Sequence, residues 1–380
     1  RVSRLSLEPT SLRLRALTGV LATGGYSRKM AAAEAKRKVN WPSEWKDAAG
    51  ELTIAARSAV EKPVKLYTSW FCPFAQRAWI AMEEKQIDYQ WMEINPYEVD
   101  PREPGGYTKK ALPIAKKREI FPEFVEVSPT GLVPGLDNDG EKVHDSMIVI
   151  EYIDEAFVGP ALLPSSPLER ARQRKWSQYV TDKIQKDYYT MLIAQDQKLQ
   201  EEYREKFFES CRVFAEAMAP VEKGPYFHGS SFTMVDIAFA PFWQRFVWVG
   251  GYYRDLEFPK NDEAFDRLDR WWKAVSARKS VADTFVCKPR LISSYKQYSR
   301  NEATSNYGKM IQSAIANAKN RNVNTGSLGS KNGANGAAVS TGSRLIDSAG
   351  KTLKAVAATC LALAVGAAVL NKSAGEKSRK

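Results

Sequence analysis

A chain of 380 residues, of which 44% are hydrophobic and 26% charged, has a globular composition and room for two domains. Its formal net charge of +12 would favour an acidic partner, but residues 1–40 carry a net +7 and residues 288–380 a net +12. The part between them is therefore mildly acidic, whereas a nucleic-acid-binding domain carries its basic surface on the folded body. The charge distribution argues against a nucleic-acid function.

Cysteine and histidine usage limits the chemistry further. Four cysteines are spread along the chain without paired spacing: Cys72, Cys211, Cys287 and Cys360. This usage is typical of a reducing compartment, not of a disulfide scaffold, so we expect a cytoplasmic protein. The two histidines, His144 and His228, form no metal-ligand spacing with the cysteines, and we expect no metal cofactor.

Residues 1–61 are predicted to be an N-terminal extension. Residues 1–29 are rich in Arg, Ser and Leu, and Glu8 is their only acid, which fits an organelle transit peptide. Met30 opens a plausible start, Met-Ala-Ala-Ala-Glu-Ala, so residues 1–29 are equally well explained as read-through of untranslated sequence or a truncated gene model. Both interpretations stay open.

Residues 62–160 alternate between strand and helix patterns. The predicted elements are Val64–Ser69 (strand), Pro73–Glu84 (helix), Tyr89–Ile94 (strand), Asn95–Glu119 (irregular), Phe121–Val127 (helix), Leu132–Leu136 and Lys142–His144 (a hairpin) and Asp145–Phe157 (helix). The order β-α-β-α-β-β-α is that of a thioredoxin-like domain. Residues 161–300 are predicted to be all-helical, with long 3.6-residue periodicity in Pro167–Met191 and Glu201–Met218.

The C-terminal part differs in composition from the rest. Residues 301–352 are rich in Gly, Asn, Ser, Ala and Lys, which is typical of a flexible linker. Within residues 353–380, the sixteen residues Ala355–Leu370 are uncharged and a basic tail follows them. This stretch is just below the roughly 17–20 apolar residues that span a membrane. It predicts a tail anchor on an organelle membrane, with an Ala-rich helix docked elsewhere as the alternative.

Cys72 is the candidate nucleophile. It stands between a predicted strand and a predicted helix in Ser69-Trp70-Phe71-Cys72-Pro73-Phe74, and Pro73 suits the first helical turn. A thiol at a helix N-terminus faces unpaired N–H groups that stabilise a thiolate; a buried structural cysteine is the alternative. Three residues on stands Ala75, so a resolving thiol must come from outside the motif. Glutathione is the obvious supplier.

Two further motifs suit a peptide-like ligand. In Gly131–Leu136, Pro134 interrupts a predicted strand, which is tolerated if its peptide bond is cis and the Val133 backbone faces a ligand; an edge-strand proline is the alternative. Asp145 and Ser146 precede a helix, as an N-cap does. The same pair also suits a charged amino-acid head group, and His144 is interpreted as structural.

In this order, the three motifs resemble the glutathione transferase family over about residues 62–287, and Cys-Pro-Phe-Ala-Gln-Arg is most similar to the cysteine-type omega and lambda classes. Thr233 and Asp236 match the family's helix capping box. The resemblance implies an α/β thioredoxin-like domain followed by an all-α domain. It also implies that Cys72 forms a mixed disulfide with the co-substrate glutathione and that Phe74 lines the thiol.

The resemblance implies the remaining contacts with glutathione as well. Val133, beside a cis Pro134, is expected to bind its backbone, and Asp145 and Ser146 its γ-glutamyl end, although the family more often has Glu in place of Asp145. Three cations are candidates for its glycyl carboxylate, with Lys117 chosen among them: Lys116, Lys117 and Arg118.

A catalytic cysteine implies reductive chemistry on small-molecule or protein disulfides, with weak conjugation. The resemblance implies that this chemistry includes thioltransferase and dehydroascorbate reductase activity. The hydrophobic substrate pocket is expected between the domains, and the protein as a monomer or a homodimer. Two alternatives are non-enzymatic: a membrane-associated protein similar to intracellular chloride channels, and a tail-anchored scaffold with a vestigial glutathione site.

Overall fold

The computed structural model describes residues 48–99 and 107–328. The predicted targeting segment 1–29 and the predicted anchor Ala355–Leu370 lie outside the described residues. Within them, no helix is long and apolar enough to cross a membrane.

The first half of the fold is a four-stranded sheet with helices against it. Its elements are α1 (Ala49–Ser58), β1 (Val64–Thr68), α2 (Pro73–Glu84), β2 (Gln90–Glu93), β3 (Tyr97–Val99), β4 (Tyr107–Ala111), α3 (Ile114–Ile120), α4 (Pro122–Val127), β5 (Gly135–Asn138), β6 (Glu141–His144) and α5 (Ser146–Ala156). The sheet order is β2-β1-β5-β6, with β1 parallel to β2 and the other pairs antiparallel. The predicted thioredoxin-like architecture is confirmed.

The stretch predicted to be irregular, Asn95–Glu119, contains the hairpin β3–β4 and the helix α3. The hairpin is held by tertiary contacts: the Tyr97 ring lies 5.7 Å from that of Phe71, and the Ala111 N–H donates to the Thr304 hydroxyl at 2.9 Å. Strand β5 starts later than predicted, at Gly135, since Pro134 has no N–H to contribute.

The second half is helical. Its helices are α6 (Pro167–Tyr179), continued by a π-helical segment to Gln185, α7 (Lys186–Ile193), α8 (Gln197–Glu216), α9 (Met234–Arg245), α10 (Gly251–Arg254), α11 (Glu263–Ala277), α12 (Lys279–Ala282), α13 (Lys288–Ser294), α14 (Lys296–Ser299) and α15 (Asn306–Leu328). The capping box of Thr233 and Asp236 is present at the start of α9. The buried Asp236 also accepts the indole N–H of Trp271 at 2.8 Å, so this motif organises the aromatic core.

Helix α2 joins the two halves, because it packs on α5 in the first and on α9 and α12 in the second. At its end, both carboxylate oxygens of Glu84 accept from Arg278, and one of them also accepts from Ser280. This buried ion pair fixes the start of the last helices against the helix that follows Cys72.

Ordered structure extends beyond both predicted domain limits. Helix α1 lies within the predicted N-terminal extension, where the Gly50 N–H donates to the Phe285 carbonyl at 3.0 Å and Glu51 pairs with Arg290 at 2.5 Å. A Cβ on Gly50 would meet the Phe285 backbone at 2.7 Å. Helix α15 lies where the sequence predicted a flexible linker. Its Ile311 is fully buried, so isolated apolar residues anchor a segment of otherwise polar composition.

Candidate active site

Cys72 is the N-cap residue of α2, with Pro73 in the first turn. Its N–H donates to the Ser69 carbonyl at 3.0 Å, which closes the turn after β1, and its own carbonyl accepts from Gln76 at 2.9 Å. The thiol is half-buried, whereas the other two cysteines of the described residues, Cys211 and Cys287, are buried. Burial raises the pKa of Cys211 well above its ordinary value, so Cys72 is the thiol best placed to react.

A buried guanidinium lies beside this thiol. Arg77 is 1% exposed and donates to the Ala238 carbonyl at 3.0 Å, the Thr181 hydroxyl at 3.2 Å and Ser146 Oγ at 3.4 Å. None of these partners is charged, and no carboxylate of the described residues lies within ion-pair distance of Arg77. Burial lowers the pKa of Arg77 to about 10, while the charges of Asp145 and Cys72 act in the opposite direction. The cation therefore faces both the thiol and the start of α5.

A second buried guanidinium ties the helical half to the turn before Cys72. Arg245, also 1% exposed, donates to the Phe71 carbonyl at 3.1 Å, to Gln76 Oε1 at 2.6 Å and to the Tyr295 hydroxyl at 2.8 Å. The sequence analysis assigned no role to Arg77 or Arg245. For Arg245, the sequence did offer one indication of a buried role. It is the last residue of the apolar helix α9, and no acidic residue stands one turn before it to pair with it.

The aromatic side chains near Cys72 and Phe74 come from the helical half and from α15. The Tyr295 hydroxyl also bonds that of Tyr189 at 3.0 Å, and the Tyr307 ring lies 6.0 Å from that of Phe74. Burial raises the pKa of Tyr295 and that of Tyr298, and the nearby Cys72 adds to both shifts. Three tyrosines from the last 90 residues therefore border the site, and the sequence analysis named none of them.

The predicted glutathione-binding residues come from three segments: the first turn of α2, the loop before β5 and the start of α5. The Val133–Pro134 peptide bond is cis, as the resemblance implied, and Val133 is half-buried. Asp145 caps α5, where its Oδ1 accepts the Met147 N–H at 3.1 Å, and Ser146 is buried against Arg77. Phe74 is half-buried, with its ring 5.4 Å from that of Phe242. Arg77 therefore connects the start of α5 with the surroundings of Cys72, since it bonds Ser146 and the charges of Asp145 and Cys72 both act on it.

The three candidate cations differ in their surroundings. Lys117 is buried, and its Nζ donates to the Gly131 carbonyl at 2.8 Å, two residues before Val133. Burial lowers its pKa, and no ion pair of Lys117 with a described carboxylate is present. Lys116 pairs with Glu119 in solvent at 2.7 Å, and Arg118 is exposed. Lys117 is therefore the cation next to the Val133 segment. In the described residues no group of three or more His, Cys, Asp or Glu side chains could hold a metal.

Comparisons with known proteins agree with this geometry. Two family models match: "Glutathione S-transferase, N-terminal domain" over residues 66–161 and "Glutathione S-transferase, C-terminal domain" over residues 197–274. The chain is 30% identical over 234 residues to the probable glutathione S-transferase parC of Nicotiana tabacum, covering 60% of this chain and 92% of the relative. It is 27% identical to glutathione S-transferase omega-1 of Sus scrofa, covering 60% of this chain and 82% of the relative.

Among solved structures, the chain is similar to glutathione transferase Omega 3C from Trametes versicolor. The TM-score is 0.54 at 30% sequence identity, and the match covers 68% of this chain and 98% of that one.

Proposed function

Because this chain belongs to the glutathione S-transferase family, we propose that it is a glutathione-dependent thioltransferase whose nucleophile is Cys72. The observation that carries the proposal is a half-buried thiol at a helix N-terminus beside Arg77, a buried cation without a carboxylate partner among the described residues. An N-terminal helix dipole and a nearby guanidinium both favour a thiolate. A thiolate attacks disulfide sulfur directly, whereas a hydroxyl nucleophile does not.

The proposed cycle has two exchanges. In the first, the Cys72 thiolate attacks the glutathione sulfur of a glutathionylated substrate, so that a Cys72–glutathione disulfide forms and the substrate thiolate leaves and takes up a proton. In the second, a glutathione thiolate attacks that disulfide, which releases oxidised glutathione and restores the Cys72 thiolate. Each cycle therefore consumes one free glutathione, because the other half of the oxidised glutathione comes from the substrate. Reduction of dehydroascorbate to ascorbate would instead consume two glutathiones, which supply two electrons and two protons and leave as oxidised glutathione.

The identity of residue 75 supports an external resolving thiol. Ala75, one turn after Cys72, is fully buried, and a dithiol mechanism needs a cysteine at that position. The nearest alternatives in the described part, Cys211 and Cys287, are buried in the helical half. Glutathione therefore supplies the second thiol in the proposed cycle.

Glutathione is proposed to bind beside the thiol through the predicted residues. The Val133 backbone would pair with its cysteinyl residue, and the α5 N-terminus with Asp145 and Ser146 would hold its γ-glutamyl end. Arg77, which contacts Ser146, would neutralise charge at that end. Lys117 would take the glycyl carboxylate by turning its Nζ from the Gly131 carbonyl. Phe74 would pack against the tripeptide near the sulfur.

The test measures glutathione-dependent reduction of hydroxyethyl disulfide by the full chain, because α1 and α15 contact the catalytic region. We expect Cys72→Ser to lower turnover at least 100-fold. Cys287→Ser is a matched control, since Cys287 is also an N-cap with a proline in the first turn, yet is buried. If Cys72→Ser keeps its activity, or Cys287→Ser loses it equally while both fold, the proposed role of Cys72 is wrong.

We also propose that Ala355–Leu370 attaches the protein to an organelle membrane. The absence of charge over this stretch and the basic tail that follows it support the proposal. In fractionated cells, the full chain should stay with membranes after carbonate washing, and a chain ending at residue 352 should not. Recovery of both in the soluble fraction would reject the anchor.

A further inference from the structure

Arg245, the last residue of α9, bonds the chain on both sides of Cys72. Its Nη2 donates to the carbonyl of Phe71, the residue just before Cys72, at 3.1 Å. Its Nη1 donates to Oε1 of Gln76 at 2.6 Å, and the Gln76 N–H donates to the Cys72 carbonyl at 2.9 Å. Since the Cys72 nitrogen is two covalent bonds from the Phe71 oxygen, Nη2 lies within about 5.7 Å of that nitrogen. The proposed thioltransferase cycle assigns no task to this guanidinium.

Packed groups of the helical half hold the Arg245 side chain in this orientation. Its Nε donates at 2.8 Å to the hydroxyl of Tyr295, which lies between α13 and α14, and that hydroxyl bonds the one of Tyr189, on α7, at 3.0 Å. On the other side, Gln76 Nε2 donates to the Thr284 hydroxyl at 3.0 Å, so that its Oε1 is turned to the guanidinium. Arg245 and Gln76 are both buried. The position of the cation is therefore set by the fold.

The hydrogen-bond partners of Arg245 are neutral. Besides those already named, its Nη1 donates to the Pro241 carbonyl at 2.7 Å and to Gln244 Oε1 at 3.2 Å. In the described part of the chain, no carboxylate lies within ion-pair distance of it. Burial raises the pKa of Tyr295, so this hydroxyl keeps its proton and supplies no counter-charge. A buried cation with neutral partners favours the ionised form of an acid beside it, and the thiol of Cys72 is such an acid.

The other titratable groups around Cys72 and Arg245 do not supply the missing negative charge. The Tyr188 hydroxyl, on α7, donates to the Arg245 carbonyl at 3.1 Å, and Tyr298, on α14, lies near Cys72. Burial raises the pKa of both tyrosines, so both are neutral near pH 7. Arg77 faces the thiol from α2 and is itself a cation.

We propose that Arg245 is a positioning residue for Cys72: it holds the chain before and after the thiol through Phe71 and Gln76, and its charge favours the thiolate. The guanidinium reaches Phe71, Gln76 and Tyr295 at once because its donors form a rigid planar fork. The inference deepens the proposed function and rests on it only for its consequence, a faster first exchange when more of the thiol is ionised.

The test follows the alkylation of Cys72 by iodoacetamide in the full chain, quantified on the Cys72 peptide by mass spectrometry between pH 5 and pH 10. Arg245→Met removes the charge at similar volume. We expect its alkylation midpoint to rise by on the order of one pH unit, with about tenfold slower alkylation below the midpoint. Arg245→Lys keeps the charge without the planar fork, so its midpoint should lie between those of the wild type and Arg245→Met.

Arg254→Met is the matched control. Arg254, the last residue of α10, is half-buried, and its acceptors are backbone carbonyls outside the catalytic turn, among them that of Ser299, on α14, at 2.7 Å. Its loss weakens the packing of the last helices but leaves the charge beside Cys72 in place, so its midpoint should coincide with that of the wild type. A shift as large as that of Arg245→Met would mean a general loss of packing and would overturn the proposal.

A second neutral variant keeps the proposal testable if Arg245→Met does not fold. Arg245→Gln also removes the charge, and its amide can still donate a hydrogen bond. Urea unfolding shows which variants fold, and an unchanged or lowered midpoint in a folded neutral variant would overturn the proposal. The assay contains no glutathione and measures no turnover, so a chain with the expected alkylation profiles but without disulfide reduction would reject the proposed function alone.

Discussion

The buried guanidinium of Arg77 gives the residue-scale account of why this site favours an anion. A buried charge without a close counter-ion carries a desolvation cost that no ion pair offsets. Arg77 has neutral hydrogen-bond partners in the Ala238 carbonyl and two hydroxyls, and the charges that favour its cationic form are those of Asp145 and, second, Cys72. A thiolate at Cys72 would therefore add a counter-charge to this cation.

We therefore predict that Arg77→Met lowers the rate of disulfide reduction at least tenfold while the free energy of unfolding changes by less than about 2 kcal/mol. Turnover with hydroxyethyl disulfide and urea unfolding measure the two effects. Arg77→Lys, which keeps a charge, should retain more activity than Arg77→Met. A large loss of stability without a selective loss of rate would mean that Arg77 is chiefly structural.

Glu93, the last residue of β2, has a pKa that burial raises, and this has a consequence for stability. Its pKa is about 7 in the folded chain against an ordinary value of 4.5, so the folded state binds more protons than the unfolded state between these values. The contribution of this carboxyl to the free energy of unfolding is therefore fully present below about pH 4.5 and is lost as pH rises towards 7. In Glu93→Gln, the free energy of unfolding should fall less over this range, by on the order of 1–3 kcal/mol. The free energy of unfolding is measured by urea unfolding of both proteins at pH 5 and pH 7.5. An equal fall in the two proteins between these pH values would contradict the prediction.

At the residue scale, sequence reasoning found the groups that local motifs carry and missed those that tertiary contacts bring. Two pairs could be proposed from sequence because their members are adjacent and stand at the start of a predicted helix: Cys72 with Pro73, and Asp145 with Ser146. Arg245 reaches the Phe71 carbonyl from 174 residues away. Neither the hydrophobic periodicity of α9 nor the residues next to Arg245 indicate a contact with Phe71, so this contact could be found only from the folded structure.

At the scale of elements, the predictions failed for segments whose polar composition predicts irregular structure but which tertiary contacts hold in a strand or a helix. The hairpin β3–β4 and helix α15 are short of apolar residues, and each depends on a few anchors such as Tyr97, Tyr307 and Ile311. Strand and helix order in the sheet, by contrast, was predictable because alternating and 3.6-residue patterns repeat over several residues there. Elements held by isolated anchors do not produce such patterns.

The ion pair between α2 and the segment after α11 gives a prediction at this scale. Arg278→Met would leave the Glu84 carboxylate, 5% exposed in its side chain, without its guanidinium, and should cost about 3–5 kcal/mol of unfolding free energy. Replacing Glu84 by Met as well should recover most of that loss, because no buried charge then remains. Urea unfolding of both single variants and the double variant measures the coupling. Additive losses would mean that the pair is not a unit.

At the scale of the whole molecule, the last described helix, α15, packs against Phe74 and Tyr189, and the sequence analysis expected a hydrophobic substrate pocket between the domains. The Tyr307 ring lies 5.0 Å from that of Tyr189 and close to Phe74, and Ile311 is fully buried in the core. Small disulfides that exchange at the half-buried sulfur need little of this space, whereas bulky aromatic electrophiles need more. This arrangement supports the proposal that the chain mainly reduces disulfides and conjugates weakly.

Truncations of the full chain test that arrangement. A chain ending after Leu328 keeps the described part of α15, and its rates of disulfide reduction and of conjugation to a bulky aromatic electrophile should match those of the full chain. A chain ending after Thr304 loses Tyr307 and Ile311, and we expect about tenfold faster conjugation relative to disulfide reduction, since the exposed apolar wall can then bind the electrophile. The point variant Tyr307→Ala should change the same ratio in the same direction while keeping Ile311 buried. If the ratio is unchanged in both, α15 does not limit access to Cys72, and weak conjugation must instead come from the thiolate chemistry of the cysteine.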